Sequence, residues 1–193
     1  MPARPGWRFF SPPGYNLLVK KYRKMLSNWQ AEPIMGLMGL IETQSKETLV
    51  NWAAGYAEVN LLPIYAKHYP EDHRPQLALD YARKWLQKEV KLPEAKKRIL
   101  SCHEAACEAE ENPATQAAAR AIGQVASSIH SATHSLGLAL YGGLAVAYDQ
   151  LGMDALWAEH EAFALKECEK MLAALQAVAI PGEPNPVKVK WFC

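Results

Sequence analysis

The chain is poor in cysteine: four in 193 residues, at positions 102, 107, 168 and 193, with no CxxC pair. That spacing excludes a disulfide framework or a zinc ribbon and reads as reduced, mostly buried thiols in a cytoplasmic protein. Long apolar runs are absent as well. The longest, Leu136 to Tyr148, falls short of the roughly 18–20 residues that a membrane-spanning helix needs, so no membrane association is expected. The opening "MPARPGWRFFSPPG" lacks the apolar core of a secretory leader, and none is expected. There is no P-loop, no GxGxxG and no GxSxG, which removes the common nucleotide-binding and serine-hydrolase signatures. A large charge imbalance is missing too. The formal net charge is +1, which argues against a dedicated nucleic-acid binder. The sign is unevenly spread, however: residues 1–30 hold six basic residues and no acid, leaving 15 basic against 20 acidic residues elsewhere.

Half of the residues are hydrophobic, enough for one sizeable core. Their spacing is helical almost throughout, and the reading is an all-α, single-domain multi-helix bundle. Residues 1–13 form a basic, aromatic arm, 14–180 the bundle and 181–193 a Pro-rich tail. Helices are expected at about 16–29, after Ser45 as N-cap, after Asp72 as cap with Pro75 in the first turn, from Pro93, from Asn112-Pro113 as far as Gly152, and after Asp154 as cap. Pro63 should kink or end the second of these. The tail "VKVKWF" alternates with period two, and a short pairing with Trp7, Phe9 and Phe10 is the expected exception to the helical fold. Ala139, Gly143 and Ala147 make a ridge of small residues that admits another helix closely.

The chemistry-bearing stretch is Ser128 to Gly137, "SIHSATHSLG". On a continuous helix His130 and His134 share one face, with Ser127, Gly137 and Tyr141 on the same side. They read as polar-core residues that need hydrogen-bond partners. As half of a metal site the pair lacks the glutamate of HExxH, since Ser131 stands there. A third ligand would have to come from Asp72, His73, Asp80, His103 or Glu104, with His103 the leading alternative. Neither a catalytic residue nor a cofactor is expected. Arg74, next to Asp72 and Pro75, reads as a solvated helix-start residue, with a bidentate bond to a carboxylate on a neighbouring helix as the sharper alternative. Arg120, in an alanine-rich helix, is either a snorkelling surface residue or a buried ion-pair member. Glu104, Glu108, Glu110 and Glu111 form the acidic face best suited to a partner.

Taken together, Asp72-x-Arg74-Pro75, His103, the Ala-Ala-Arg120-Ala-x-Gly123 run and His130-x3-His134 resemble the immunity-protein-like family of bacterial polymorphic toxin systems, over about residues 48–150. Members often carry a histidine straight after the glycine, where this chain has Gln124. The resemblance implies an all-helical, non-enzymatic protein that neutralises a toxin by binding it. A metal- or small-ligand-binding protein built on His130, His134 and His103 is the alternative. A homodimer through the Gly143 ridge or the tail is the third possibility.

Overall fold

The computed structural model describes residues 22–191. Among them all regular structure is helical. Eight α-helices follow one another: α1 Glu32–Ile41, α2 Lys46–Asn60, α3 Leu62–Ala66, α4 Arg74–Leu86, α5 Leu92–Glu108, α6 Pro113–Ser127, α7 Gly143–Leu151 and α8 Trp157–Val178. Several starts are where local chemistry puts them. Ser45 Oγ accepts from Thr48 N–H at 3.2 Å at the head of α2, and Asn112 Oδ1 accepts from Thr115 N–H at 3.0 Å at the head of α6. Each bond satisfies one of the donors that a first helical turn leaves open. Pro63 divides α2 from the single turn of α3, as a residue with no N–H must.

Helix α6 is the axis of the molecule. It packs on α2, α3, α4, α5 and α7, and every residue from Ala114 to Ser127 is buried except Arg120 and Gln124. Six alanines and Gly123 in that stretch let neighbours close in from all sides. The two exceptions are four residues apart and therefore stacked on one face. Elsewhere, Gly143 and the Ala139 carbonyl meet α8 of the same chain. A Cβ on Gly143 would lie 2.9 Å from the Ala164 carbonyl oxygen and 3.3 Å from Cys168 Sγ. The small-residue ridge is thus filled from within.

Three expectations are overturned. Residues 22–30 form bends and turns rather than the end of a 16–29 helix; positions 16–21 lie outside the described residues. Here tertiary bonds replace helical ones. Leu26 is fully buried and its N–H donates to the Leu140 carbonyl at 2.9 Å, the Tyr148 hydroxyl donates to the Arg23 carbonyl at 2.9 Å, and the Arg23 guanidinium lies 4.2 Å from the Trp157 ring centre. Helix α8 begins at Trp157, not after Asp154. Its first turn is closed by Glu159, whose carboxylate accepts from Leu156 N–H at 2.7 Å. Third, the helix from Asn112-Pro113 does not run on to Gly152: it ends at Ser127, and a 3-10 turn (Ala132–Leu136) and a wide π turn (Leu138–Gly142) precede α7.

The tail keeps its period-two character: Val187, Val189 and Trp191 are half-buried while Lys188 and Lys190 are exposed. It is extended, but its docking partner is the α1–α2 turn. Val187 N–H donates to the Gln44 carbonyl at 2.9 Å, and Ile180 N–H to Gln44 Oε1 at 2.8 Å. Glu183 accepts from Ser45 N–H and from the Thr48 hydroxyl, both at 2.6 Å, and Trp191 Nε1–H donates to Glu42 at 2.6 Å. The arm expected to pair with it, Trp7 to Phe10, lies outside the described residues.

Candidate functional site

The break after Ser127 follows from five hydroxyl residues in nine positions, Ser127, Ser128, Ser131, Thr133 and Ser135. Short hydroxyl side chains compete with the helix for its own carbonyls. Ser127 Oγ donates to Gly123 O at 2.7 Å and Ser135 Oγ to Ala132 O at 2.7 Å, while Ser131 is extended at φ −145°. His130 and His134 therefore do not share a helix face. Their rings still meet, with centres 5.3 Å apart and planes at 59°, because the chain doubles back. His130 is exposed and His134 half-buried, so the pair sits at the edge of the core rather than within it.

His134 is anchored by α6. Its Nδ1–H donates to Gln124 Oε1 at 2.6 Å, leaving Nε2 as the acceptor. Gly137 allows this approach, since a Cβ there would fall 2.4 Å from Gln124 Cβ. One residue earlier on α6, the His103 ring from α5 packs against Gly123, with Cε1 only 2.5 Å from where a Cβ would stand. The two residues of α6 that escape full burial thus adjoin two imidazoles. Burial depresses all three histidine pKa values. Arg120 and His134 push His103 further down, and His134, Lys96 and Lys46 do the same to His130. Neutral rings that hydrogen-bond and pack are the result at pH 7. Arg120 Nε is buried with no hydrogen-bond partner among the described residues. The described residues hold no group of three or more His, Cys, Asp or Glu able to grip a metal ion, so His103, His130 and His134 do not converge on one point. Tyr141 is half-buried and shares a cleft of about 240 Å³ with Gln124, Gly137 and Trp191.

Asp72 and Arg74 belong to a different cluster, and Arg74 is no solvated helix-start residue. Its Nε and Nη2 donate to Asp72 at 2.9 and 2.7 Å, and its Nη1 and Nη2 donate to Glu108 of α5 at 2.9 and 2.5 Å. Tyr65 completes the group by donating to Asp72 Oδ2 at 2.6 Å. The N-cap of α4 is His73, but Asp72 Oδ1 still accepts from Arg74 N–H at 3.0 Å. Burial pushes the Asp72 carboxyl up, and the bonds from Arg74 and Tyr65 more than reverse this, to about 2. Bonding to Arg74 likewise lowers Glu108. Arg74 therefore ties the start of α4 to the end of α5. That removes Glu108 from the open acidic face. Glu104, Glu110 and Glu111 are exposed and have no ion pair among the described residues.

Sequence reasoning missed Tyr65, Gln124 and Glu183. Tyr65 is one helix away from its partner, and Gln124 was read only as a departure from a histidine. The signal for Gln124 was its four-residue spacing from Arg120 within an alanine run.

Residues 39–174 match the family model described as Imm-5 like putative immunity protein. Neither the curated proteins nor the solved structures contain a match to the chain. The family segment runs from the end of α1 to the last turns of α8, and so includes α6, the three histidines and the Arg74 cluster.

Proposed function

The chain belongs to the Imm-5 like immunity-protein family, and from that premise we propose that it is a non-enzymatic bacterial protein that neutralises a cognate toxin by binding it in the cytoplasm. The family match over residues 39–174 is the observation that carries the reading. The arrangement of side chains supports it: His134 and Gln124 are spent on one another, as in a scaffold, and the open acids lie on the surface. Glu104, Glu110 and Glu111, at the end of α5 and the turn into α6, face outward. A fixed, unpaired acidic patch suits a basic surface on a partner, where complementarity speeds encounter and selects against wrong partners.

The test is protection. Cells producing the cognate toxin should grow when the wild-type protein is co-produced. The triple variant Glu104→Lys/Glu110→Lys/Glu111→Lys should fold with an unchanged melting temperature yet fail to protect. Full protection by that variant would remove the acidic patch from the mechanism, and absence of protection by the wild type would refute toxin neutralisation itself.

A further inference from the structure

Away from the acidic face, the docked tail builds a cleft that nothing so far uses. Between residues 185–190 and the broken segment His130–Thr133 lies a space of about 490 Å³, lined by Lys46, Lys188, Lys190 and His130 together with hydroxyl and amide side chains and the apolar Ala132, Val187 and Val189, and by no acid. None of the three lysines has an ion-pair partner among the described residues. The alternation of the tail keeps Lys188 and Lys190 together, on the exposed side of an extended segment whose valines face the body. His130 adds a ring whose protonation is opposed first by burial and then by His134, Lys96 and Lys46. Three like charges around a cleft whose own lining holds no acid repel one another, and a bound anion relieves this.

A second space of about 680 Å³ adjoins the first, sharing Lys46 and Asn185, with Trp85, Leu86, Val90 and Ile180 as apolar walls. Two acids line this second space: Glu183, occupied by Ser45 N–H and the Thr48 hydroxyl, and Glu47, which is exposed. Both volumes fall within the roughly 300–1,000 Å³ of small-molecule sites. Lys46 links the two, its ammonium 5.5 Å from the Trp85 ring centre.

We propose that this double cleft binds a small phosphate-bearing molecule of nucleotide size, its phosphate held by Lys46, Lys188 and Lys190 and its ring or apolar body resting on the Trp85 wall. Lysine suits a phosphate as a point charge, without the forked geometry of arginine. The tail contributes two of the three charges and lies beyond the family segment of 39–174, so the site is a property of this chain's own C-terminal segment.

Calorimetry on the full-length protein with adenosine monophosphate, inorganic phosphate and adenosine tests it. Adenosine monophosphate should bind at least tenfold more tightly than either fragment. Lys188→Glu/Lys190→Glu should weaken it at least tenfold with the melting temperature of the free protein unchanged, whereas Lys97→Glu/Lys166→Glu, which changes net charge equally, should not. Equal binding of both fragments and the whole, equal loss in the control variant, or tighter binding of a hexaglutamate peptide would each overturn the proposal. Toxin protection does not enter this readout, so the two readings fail separately.

Discussion

Replacing Arg74 by Met removes the guanidinium fork that joins Asp72 to Glu108, and the acid side of the stability curve should report it. In the folded protein the Asp72 carboxyl sits at about 2, against 3.8 for the free group. A depressed folded pKa contributes stability that is present above the unfolded value and lost as pH falls through the folded one. The window is therefore from about pH 4 down to about pH 2. At 1.36 kcal/mol per unit the full contribution is about 2 kcal/mol. The Asp72 side chain is only 17% exposed and Arg74 29%, so solvent screening trims this figure without abolishing it. Glu108, in the open, adds little. Urea unfolding at pH 7 should place Arg74→Met about 1–3 kcal/mol below wild type, the usual cost of stripping a charged hydrogen-bond partner from a half-buried group. On acidification the wild type should lose more stability than the variant, and the two curves should approach each other by pH 2. Parallel curves across that range would show that Asp72 gains nothing from Arg74, and would refute the reasoning.

Other substitutions separate local space from chemistry. Gly123→Ala drives a methyl into the His103 ring and should cost about 1–3 kcal/mol in thermal unfolding. Gly39→Ala in α1 meets nothing within 4 Å and should stabilise by about 0.5–1 kcal/mol. Replacing Glu183 by Ala frees the tail from the head of α2, so the Ser45 amide should exchange with solvent measurably faster while amides in α6 do not change. His103, His130 and His134 have depressed pKa values in the fold, so the unfolded chain takes up protons first. Stability should fall as pH drops below the unfolded value near 6.5, and NMR titration should place all three midpoints below that of a free histidine.

The parts legible in the sequence are those set by near neighbours. Ser45, Pro93 and Asn112-Pro113 mark helix starts through a single turn of backbone, and Ala95, Ile99, Cys102, Ala106 and Ala109 face inward because their spacing is helical. What failed depended on distant contacts or on competition. The basic segment at 22–30 has helical spacing, yet Leu26 gains more from the Leu140 carbonyl than from a helix of its own. Ser128 to Ser135 reads as helix by apolar period, but its hydroxyls outcompete the backbone and open the turn that brings His130 beside His134. Arg74 finds Glu108 34 positions away only because α4 and α5 pack together. The cationic cleft needs the tail to reach back to Gln44, which no spacing rule contains.

The claim on which the function rests is that protection comes from stoichiometric binding through the outward acids of α5 and the following turn. Light-scattering molar mass of the purified protein mixed with its cognate toxin measures this directly. The account predicts a stable complex at a fixed ratio that disappears with Glu104→Lys/Glu110→Lys/Glu111→Lys. Two species that elute unchanged, at concentrations where the wild-type protein protects cells, would contradict it.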